Sequence, residues 1–218
     1  MNPCGQVLVQ LRLATGLTSE EYVSIEYWRN ASLSRCPFHP EGKCGFRRHG
    51  TYPRKVPPGT RIPRWYCPKA HATVSLLPDC FASKVSGSLK TVEQVVAEVE
   101  REDALLSVAV RHRPQTQPDS AMRWVRRRVR AVHACLCAVL GILPGLLAGC
   151  EPTLLSVRAA LGAEWVLPVL REKSALHLAV LPPPLGFGQR PRPRRAWPNA
   201  VQQPLGRSPP APGWYTSS

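Results

Sequence analysis

The sequence predicts a small α+β fold in which a β-hairpin module is followed by an α-helical region and a disordered C-terminal tail. Residues 35–80 are basic, turn-rich and contain paired cysteines and histidines. Over residues 86–180, apolar side chains recur at helical spacing. Residues 181–218 contain ten prolines and no acidic side chain, a composition that buries too little apolar surface to become ordered. Residues 1–34 form an N-terminal segment before the hairpin module.

Net charge and proline content narrow the classes of function. The 218 residues include 29 Lys and Arg against 14 Asp and Glu, which gives a formal charge of +15. This excess favours a polyanionic partner, nucleic acid before an acidic membrane. The 24 prolines are well above the average frequency of about 5%. A large globular enzyme built on a regular sheet is therefore not expected.

The chain shows no sign of export or of a membrane anchor. Its first ten residues, MNPCGQVLVQ, lack the basic start and long apolar run of a secretory signal, so we expect a cytoplasmic protein. In a reducing compartment, the eight cysteines indicate metal binding rather than disulfides. The apolar stretch AVHACLCAVLGILPGLLA contains Gly141 and Pro144 and continues an amphipathic pattern, which argues against a spanning helix.

The stretch TSEEYVSIEYW in the N-terminal segment fits two local structures. Thr18 and Glu21 have the spacing of a capping box, which begins a helix. Val23, Ile25 and Tyr27 alternate with polar residues, as in a strand. The sequence leaves both possibilities open.

Two short pairs of metal-ligating side chains lie in the hairpin module, with 27 residues between them. Zinc prefers four sulfur or nitrogen ligands in a tetrahedron, and two turns that present two ligands each supply such a site without a large core. We therefore expect Zn²⁺ to be bound by Cys36, His39, Cys67 and His71.

The residues between the two pairs predict two short strands. GFRRHGTY and TRIPRWYC flank the turn PPG, and together with the ligand pairs they give the turn, hairpin and turn of a zinc-ribbon-like module. Cys44 and His49 lie close enough to replace His39 as a ligand. A catalytic zinc needs a neighbouring general base. Because Glu41 is the one acid between residues 35 and 71, a structural zinc is favoured.

The region after residue 85 predicts helices. Residues 86–100 repeat Leu89 and four valines on one face, and a shorter helix is expected at about residues 103–112. The longest helical pattern covers residues 120–143 and ends before Pro144. One more short helix, broken at Pro168, is expected between residues 151 and 180. A helix-turn-helix is possible, although PQTQPDS is longer than the usual turn of roughly 3–4 residues.

Arginines on the long helix gather on a different face from its apolar stripe. Arginine pairs bidentately with phosphate or guanine, so this face is a candidate for DNA contact. In the hairpin module, Tyr52, Trp65 and Tyr66 alternate with basic residues, which suits stacking on bases. Trp65 fits the small core of the hairpin equally well. The residues expected to contact nucleic acid are Arg123, Arg126, Arg127, Arg130, Arg54, Arg61 and Arg64.

Three stretches carry a resemblance to a known family: CPFHPEGKCGFRRHGTY, GTRIPRWYCPKAHATVSLLPDC and AMRWVRRRVRAVHACL. They resemble an uncharacterised bacterial, transposase-like family, whose shared part is similar to the zinc ribbon placed before the helix-turn-helix of insertion-sequence transposases. Residues 65–78 are similar to the second knuckle of that ribbon. The resemblance implies DNA binding and a mobile-element origin. The commonest ribbon has four cysteine ligands, whereas His39 and His71 stand at the second-ligand positions here.

A catalytic half is not expected. A transposase that cuts DNA needs three carboxylates to hold two Mg²⁺ ions, and after residue 120 the only acids are Glu151, Glu164 and Glu172, in one helical region. The sequence therefore predicts a DNA-binding protein, not an enzyme, related to the non-catalytic N-terminal part of such transposases. The alternatives are a protein-interaction module, in which the ribbon and the apolar helix dock a partner chain, and a metalloenzyme.

Overall fold

The computed structural model describes residues 7–101 and 104–188. The strands are β1 (Val7–Leu13), β2 (Arg47–Pro53), β3 (Arg61–Cys67) and β4 (Ala72–Pro78). The helices are α1 (Ser19–Ser24), α2 (Leu89–Glu100), α3 (Leu105–His112), α4 (Pro118–Ile142), α5 (Leu154–Leu161) and α6 (Val166–Lys173), with short 3₁₀ turns at Tyr27–Arg29 and Ala175–His177. The predicted α+β class is confirmed.

The strands form one sheet in the order β1-β4-β3-β2. The hairpin of β2 and β3 forms around the PPG turn as predicted, and β4 continues it antiparallel to β3. β1, which was not predicted, pairs in parallel with β4 from Val7–Ala72 to Leu13–Pro78. This pairing leaves β4 between two neighbours, and every residue of β4 is buried. The hairpin module is therefore part of a larger sheet that also takes in the N-terminal segment.

The ambiguous stretch after Thr18 begins as a helix. The Thr18 side chain accepts a hydrogen bond from the Glu21 N–H at 3.2 Å, and the Glu21 carboxylate accepts one from the Thr18 N–H at 2.8 Å. These two bonds make a complete capping box. Tyr22 is fully buried, and its hydroxyl donates to the Arg61 carbonyl of β3 at 3.0 Å. α1 therefore closes one end of the sheet.

The helices α2, α3 and α4 pack against one another. α2 follows its N-cap, Ser88, and buries the predicted face that starts at Leu89. α4 begins at Pro118 instead of residue 120, because proline is well suited to the first helical position. Its stripe from Val125 to Val139 is buried as its periodicity predicts. The connection between α3 and α4 is consequently five residues long, 113–117.

The region after residue 150 contains two helices where the sequence predicted one. Gly162 has a left-handed φ of +58° and ends α5. Pro168 does not break a helix, because it lies in the first turn of α6, where backbone N–H groups have no partner within the helix.

Two carboxylates of α2 hold the N-terminal ends of α5 and α6. Glu93, which the periodicity places away from the apolar face, is fully buried. It accepts hydrogen bonds from the N–H groups of Val166 and Leu167, each at 2.8 Å, and from the Arg158 guanidinium at 2.8 Å. Glu100 accepts from two backbone N–H groups at the start of α5, at 3.0 and 3.1 Å. Both contacts place negative charge at the positive end of a helix.

The start of the predicted disordered tail is ordered. Leu181 and Leu185 are buried in the helical core, although no apolar period marks them. The Pro184 carbonyl accepts a hydrogen bond from the buried guanidinium of Arg171 at 3.0 Å, as does the Phe81 carbonyl. Residues 181–188 therefore belong to the folded part, because they bury two leucines and the Pro184 carbonyl partners a buried cation. The rest of the predicted tail, 189–218, lies outside the described residues.

The buried carboxylate of α2 gives a stability test. Glu93→Gln keeps the size of the side chain but removes the charge that offsets Arg158 and two helix N–H groups, so we expect a loss of about 3 kcal/mol in the free energy of unfolding. Urea denaturation followed by circular dichroism measures it. The exposed Glu164→Gln is the matched control, with an expected change below about 0.5 kcal/mol. Equal changes in the two variants would show that Glu93 does not hold α6.

Candidate metal centre

Four potential metal ligands meet where the irregular loop before β2 passes the end of β3. Cys36, His39 and Cys44 lie on the loop, and Cys67 is the last residue of β3. Their ligand atoms all lie within 4.8 Å of one another. In residues 7–101 and 104–188, this is the one group of three or more Cys, His, Asp or Glu with such spacing. The four residues are close enough to bind one metal ion.

The distances within this cluster suit a tetrahedral ion. His39 Nδ1 lies 3.8 Å from Cys36 Sγ and 3.4 Å from Cys67 Sγ. Metal–ligand bonds of about 2.3 Å to sulfur and 2.0 Å to nitrogen place neighbouring tetrahedral ligands about 3.5–3.8 Å apart. Cys67 is fully buried, and Cys36 and Cys44 are 4% and 6% exposed. The cluster is thus a nearly closed site with soft donors.

Left-handed backbone positions bring Cys44 back to the other ligands. Gly42 and Lys43 have φ angles of +84° and +56°, and the Gly42 N–H donates to the His39 carbonyl at 3.0 Å. Gly45 has a φ of +68°, and a Cβ atom there would lie 3.3 Å from the Pro68 side chain. Glycine is therefore favoured at residue 45, first because its φ is left-handed and also because the loop passes close to the turn after Cys67.

The thiols influence each other's ionisation. Burial opposes ionisation of Cys36, but hydrogen bonds from the His39 ring, from neighbouring backbone N–H groups and from Cys67 outweigh it and lower the Cys36 pKa to about 7. The pKa of Cys44 is raised, first by burial and then by Cys36 and Cys67. A bound metal ion would let all three cysteines ionise.

The cluster differs from the predicted ligand set at one position. His39 and its alternative, Cys44, are both present, and His71 is not among the four. His71 has a left-handed φ of +47° in the turn between β3 and β4, and its side chain is exposed. His49 also lies elsewhere, with its ring 5.6 Å from that of Tyr66. The glycines on either side of Cys44 are the signal in the sequence that could have favoured Cys44.

The predicted arginine face of α4 is exposed. Its four members point away from the buried stripe of the helix, and Arg123 alone has a side-chain hydrogen bond among the described contacts, to the Ser120 hydroxyl at 3.1 Å. They form a row of unneutralised cations on one regular element. We call this set the α4 arginines: Arg123, Arg126, Arg127 and Arg130.

The predicted arginines of the hairpin have different surroundings. Arg54 donates to the carbonyls of Ala82 and Val85, each at 3.0 Å, and its guanidinium lies 5.3 Å from the centre of the Phe81 ring. Arg54 thus connects the sheet to the loop before α2. Arg61 is exposed and donates to a threonine hydroxyl of β2 at 3.2 Å.

Arg64 and Trp65 lie on opposite faces of β3. Arg64 stacks on the Tyr52 ring, with 5.6 Å from its guanidinium carbon to the ring centre. Trp65 is 5% exposed and packs with Val74 and Leu76 of β4. Its place is in the core, which resolves the alternative that the sequence left open.

The sequence missed Arg128, which lies between Arg127 and Arg130 in the chain but is buried. Its guanidinium carbon lies 3.4 Å from the centre of the Trp124 ring, and its Nη2 donates to the carbonyl and the hydroxyl of Ser86 at 2.8 and 3.0 Å. Burial, together with repulsion from Arg113 and Arg127, lowers its pKa to about 9. Arg128 thus binds α4 to the loop before α2. Arg128 is the last of three consecutive arginines, and nothing in that run distinguishes the buried side chain from the two exposed ones.

Comparison with protein-family models, with curated proteins and with solved structures gave no match. Across residues 7–101 and 104–188, no helix has both the length and the apolar composition that crossing a bilayer requires.

The ligand set is tested by single substitutions. Loss of a residue that only hydrogen-bonds to a metal ligand lowers metal affinity by roughly 10–100-fold. We expect His39→Ala and Cys44→Ala to lower it further, because each removes a direct ligand. His71→Ala should keep the metal, and Cys80→Ala, whose half-buried thiol lies outside the cluster, is the control. Elemental analysis of protein purified without chelator measures the metal content. Loss of metal in His71→Ala together with its retention in Cys44→Ala would contradict the assignment.

Proposed function

We propose that the chain is a DNA-binding protein in which a structural zinc ion fixes the hairpin module and α4 contacts DNA. The observation that carries the proposal is the row of α4 arginines, which are exposed on the side of the helix away from its buried stripe. Arginine forks match the geometry of phosphate and guanine, and an exposed row on one helix can follow a groove or a backbone.

The packing of α3 against α4 supports this use of the helix. α3 precedes α4 by a five-residue connection and packs on it, with α2 beneath both. A short helix followed by a longer one that presents arginines is the arrangement in which a helix-turn-helix offers its second helix to the major groove. The connection is slightly longer than the common turn of roughly 3–4 residues.

Zinc is the metal that the donor set favours. Three sulfurs and one imidazole nitrogen at tetrahedral spacing match the ligands of structural zinc sites, in which no position is left for substrate. Such a site stabilises a loop that has little hydrophobic core of its own. The role that we assign to zinc is therefore structural. Together with the resemblance of the sequence, this supports a relationship to the non-catalytic N-terminal part of insertion-sequence transposases.

A protein-interaction module is the second candidate, and a specific feature of α3 favours it. Leu106 and Val110 are 47% and 49% exposed and lie four residues apart, on one side of the helix. An exposed apolar pair of this kind can dock a partner chain. A protein of this class would not require the positive charge of α4.

Salt dependence of DNA binding separates the two candidates. Each phosphate contact contributes about 0.9 to the slope of log K against log salt, so changing Arg123, Arg126 and Arg130 together to glutamine should reduce the slope by about 2.7. Fluorescence anisotropy with a labelled 20-base-pair duplex at several salt concentrations measures it. Lys173→Gln, an exposed cation on α6, is the control and should leave the slope nearly unchanged.

The two candidates also differ in the wild-type result. No salt-dependent binding by the wild-type chain would rule out the DNA-binding proposal. In that case, a protein partner that binds the wild-type chain but not the Leu106→Asp/Val110→Asp variant would support the interaction module.

A further inference from the structure

Two adjoining cavities lie on either side of the loop between β4 and α2. The first, of about 470 Å³, is lined by Tyr52, Arg54 and Lys55 of the hairpin. The second, of about 230 Å³, is lined by residues of α4. Both cavities share Lys84, Val85 and Ser86, so one short loop forms a wall of each. We call the two cavities together the cationic trough, after the basic residues that line it: Arg54, Lys55, Lys84, Arg127 and Arg128.

The lining of the trough carries one sign of charge. Among the described residues that line either cavity there are five cations and no Asp or Glu. A third cavity, of about 400 Å³, differs in this respect, because Arg12 and Asp79 form a two-bond ion pair in its wall, at 2.7 and 3.0 Å. The charge of the trough is thus available to an external anion, whereas that of the third cavity is balanced internally.

Hydrogen bonds hold three cations of the trough in place. Arg54 donates to the loop carbonyls described above, and Arg128 donates to Ser86 and stacks on Trp124. These neutral partners fix the two guanidinium groups without cancelling their charge. Lys84 Nζ donates to the carbonyls of Phe187 and Gly188 at 3.2 and 2.9 Å. A site that is ordered before the ligand arrives loses less conformational entropy on binding.

Arg128 is the cation whose burial is least compensated. It is 4% exposed, and its Nε has no hydrogen-bond partner. The pKa of Arg128 is lowered because burial and the neighbouring arginines both disfavour its charge. An anion in the trough would offset this cost. Lys55 and Arg127, by contrast, are exposed.

We propose that the cationic trough binds phosphate groups, and that its ligand in the intact protein is the phosphodiester backbone of the nucleic acid that α4 contacts. The assignment to nucleic acid rests on the proposed function. With this site, the DNA contact extends from the α4 arginines across the loop before α2 to the hairpin. A free phosphate compound has the same chemistry, so the experiment must separate the two sources.

The experiment compares two probes on the full chain. Inorganic pyrophosphate is titrated by calorimetry, and a labelled 20-base-pair duplex by fluorescence anisotropy at several salt concentrations. The test variant is Lys55→Gln, because Lys55 is exposed, lines the trough and is not one of the α4 arginines. We expect it to weaken the binding of both probes about threefold or more and to lower the salt slope for DNA by about 0.9.

Arg130→Gln is the matched control for pyrophosphate. It removes one exposed charge from α4 but does not line the trough, so pyrophosphate affinity should be unchanged. Weakened pyrophosphate binding with unchanged DNA binding would overturn the nucleic-acid assignment and leave a site for a free phosphate compound. No pyrophosphate binding by the wild-type chain, with unchanged DNA binding in the Lys55→Gln variant, would overturn the trough as a phosphate site but not the proposed function. Absence of DNA binding in the wild-type chain would instead refute the proposed function, and the pyrophosphate titration would still decide on the trough.

Discussion

The crowding of three thiols and an imidazole beside the end of β3 is the constraint on which the hairpin module depends. The loop that carries Cys36 and Cys44 has no regular secondary structure, and its own apolar contacts are few and small. A segment of this kind cannot offset its ordering entropy by hydrophobic burial. A metal ion would supply the missing free energy and neutralise the thiolates. The loop in turn precedes β2, whose Arg48 donates to the Arg29 carbonyl and so connects the hairpin to the N-terminal segment.

Buried charge has a similar organising role in the helical half. Glu93 and Glu100 fix the starts of α6 and α5, and the Arg171 guanidinium connects α6 to the Phe81 and Pro184 carbonyls. A buried charge is costly unless polar groups compensate it, so the contacts of Glu93 and Arg171 favour the arrangement in which these partners are present. The apolar stripe of α4 then packs on α2, and its arginines are left exposed. The surface that we assign to DNA is therefore a consequence of how the opposite side of α4 is buried.

Patterns of neighbouring residues in the sequence predicted the features that depend on interactions between residues close together in the chain. The period of α4, the PPG hairpin and the exposure of Arg123 all follow from spacing along the chain. The features that the sequence missed depend on partners far away in the chain. β1 needs β4 as its neighbour, and Glu93 is buried because the α6 N-terminus, 73 residues later, supplies donors. At the metal centre, Cys36, His39 and Cys67 were predicted, whereas His71 is exposed in the turn between β3 and β4 and is not part of the cluster.

X-ray absorption spectroscopy of the purified chain tests the metal centre most directly. The ligand geometry predicts one zinc ion per chain, with three sulfur ligands at about 2.3 Å and one nitrogen at about 2.0 Å. Two sulfur and two nitrogen ligands would instead match the set with His71 in place of Cys44. A first shell of oxygen ligands, or no metal in protein prepared without chelator, would contradict the claim that a metal ion organises the hairpin module.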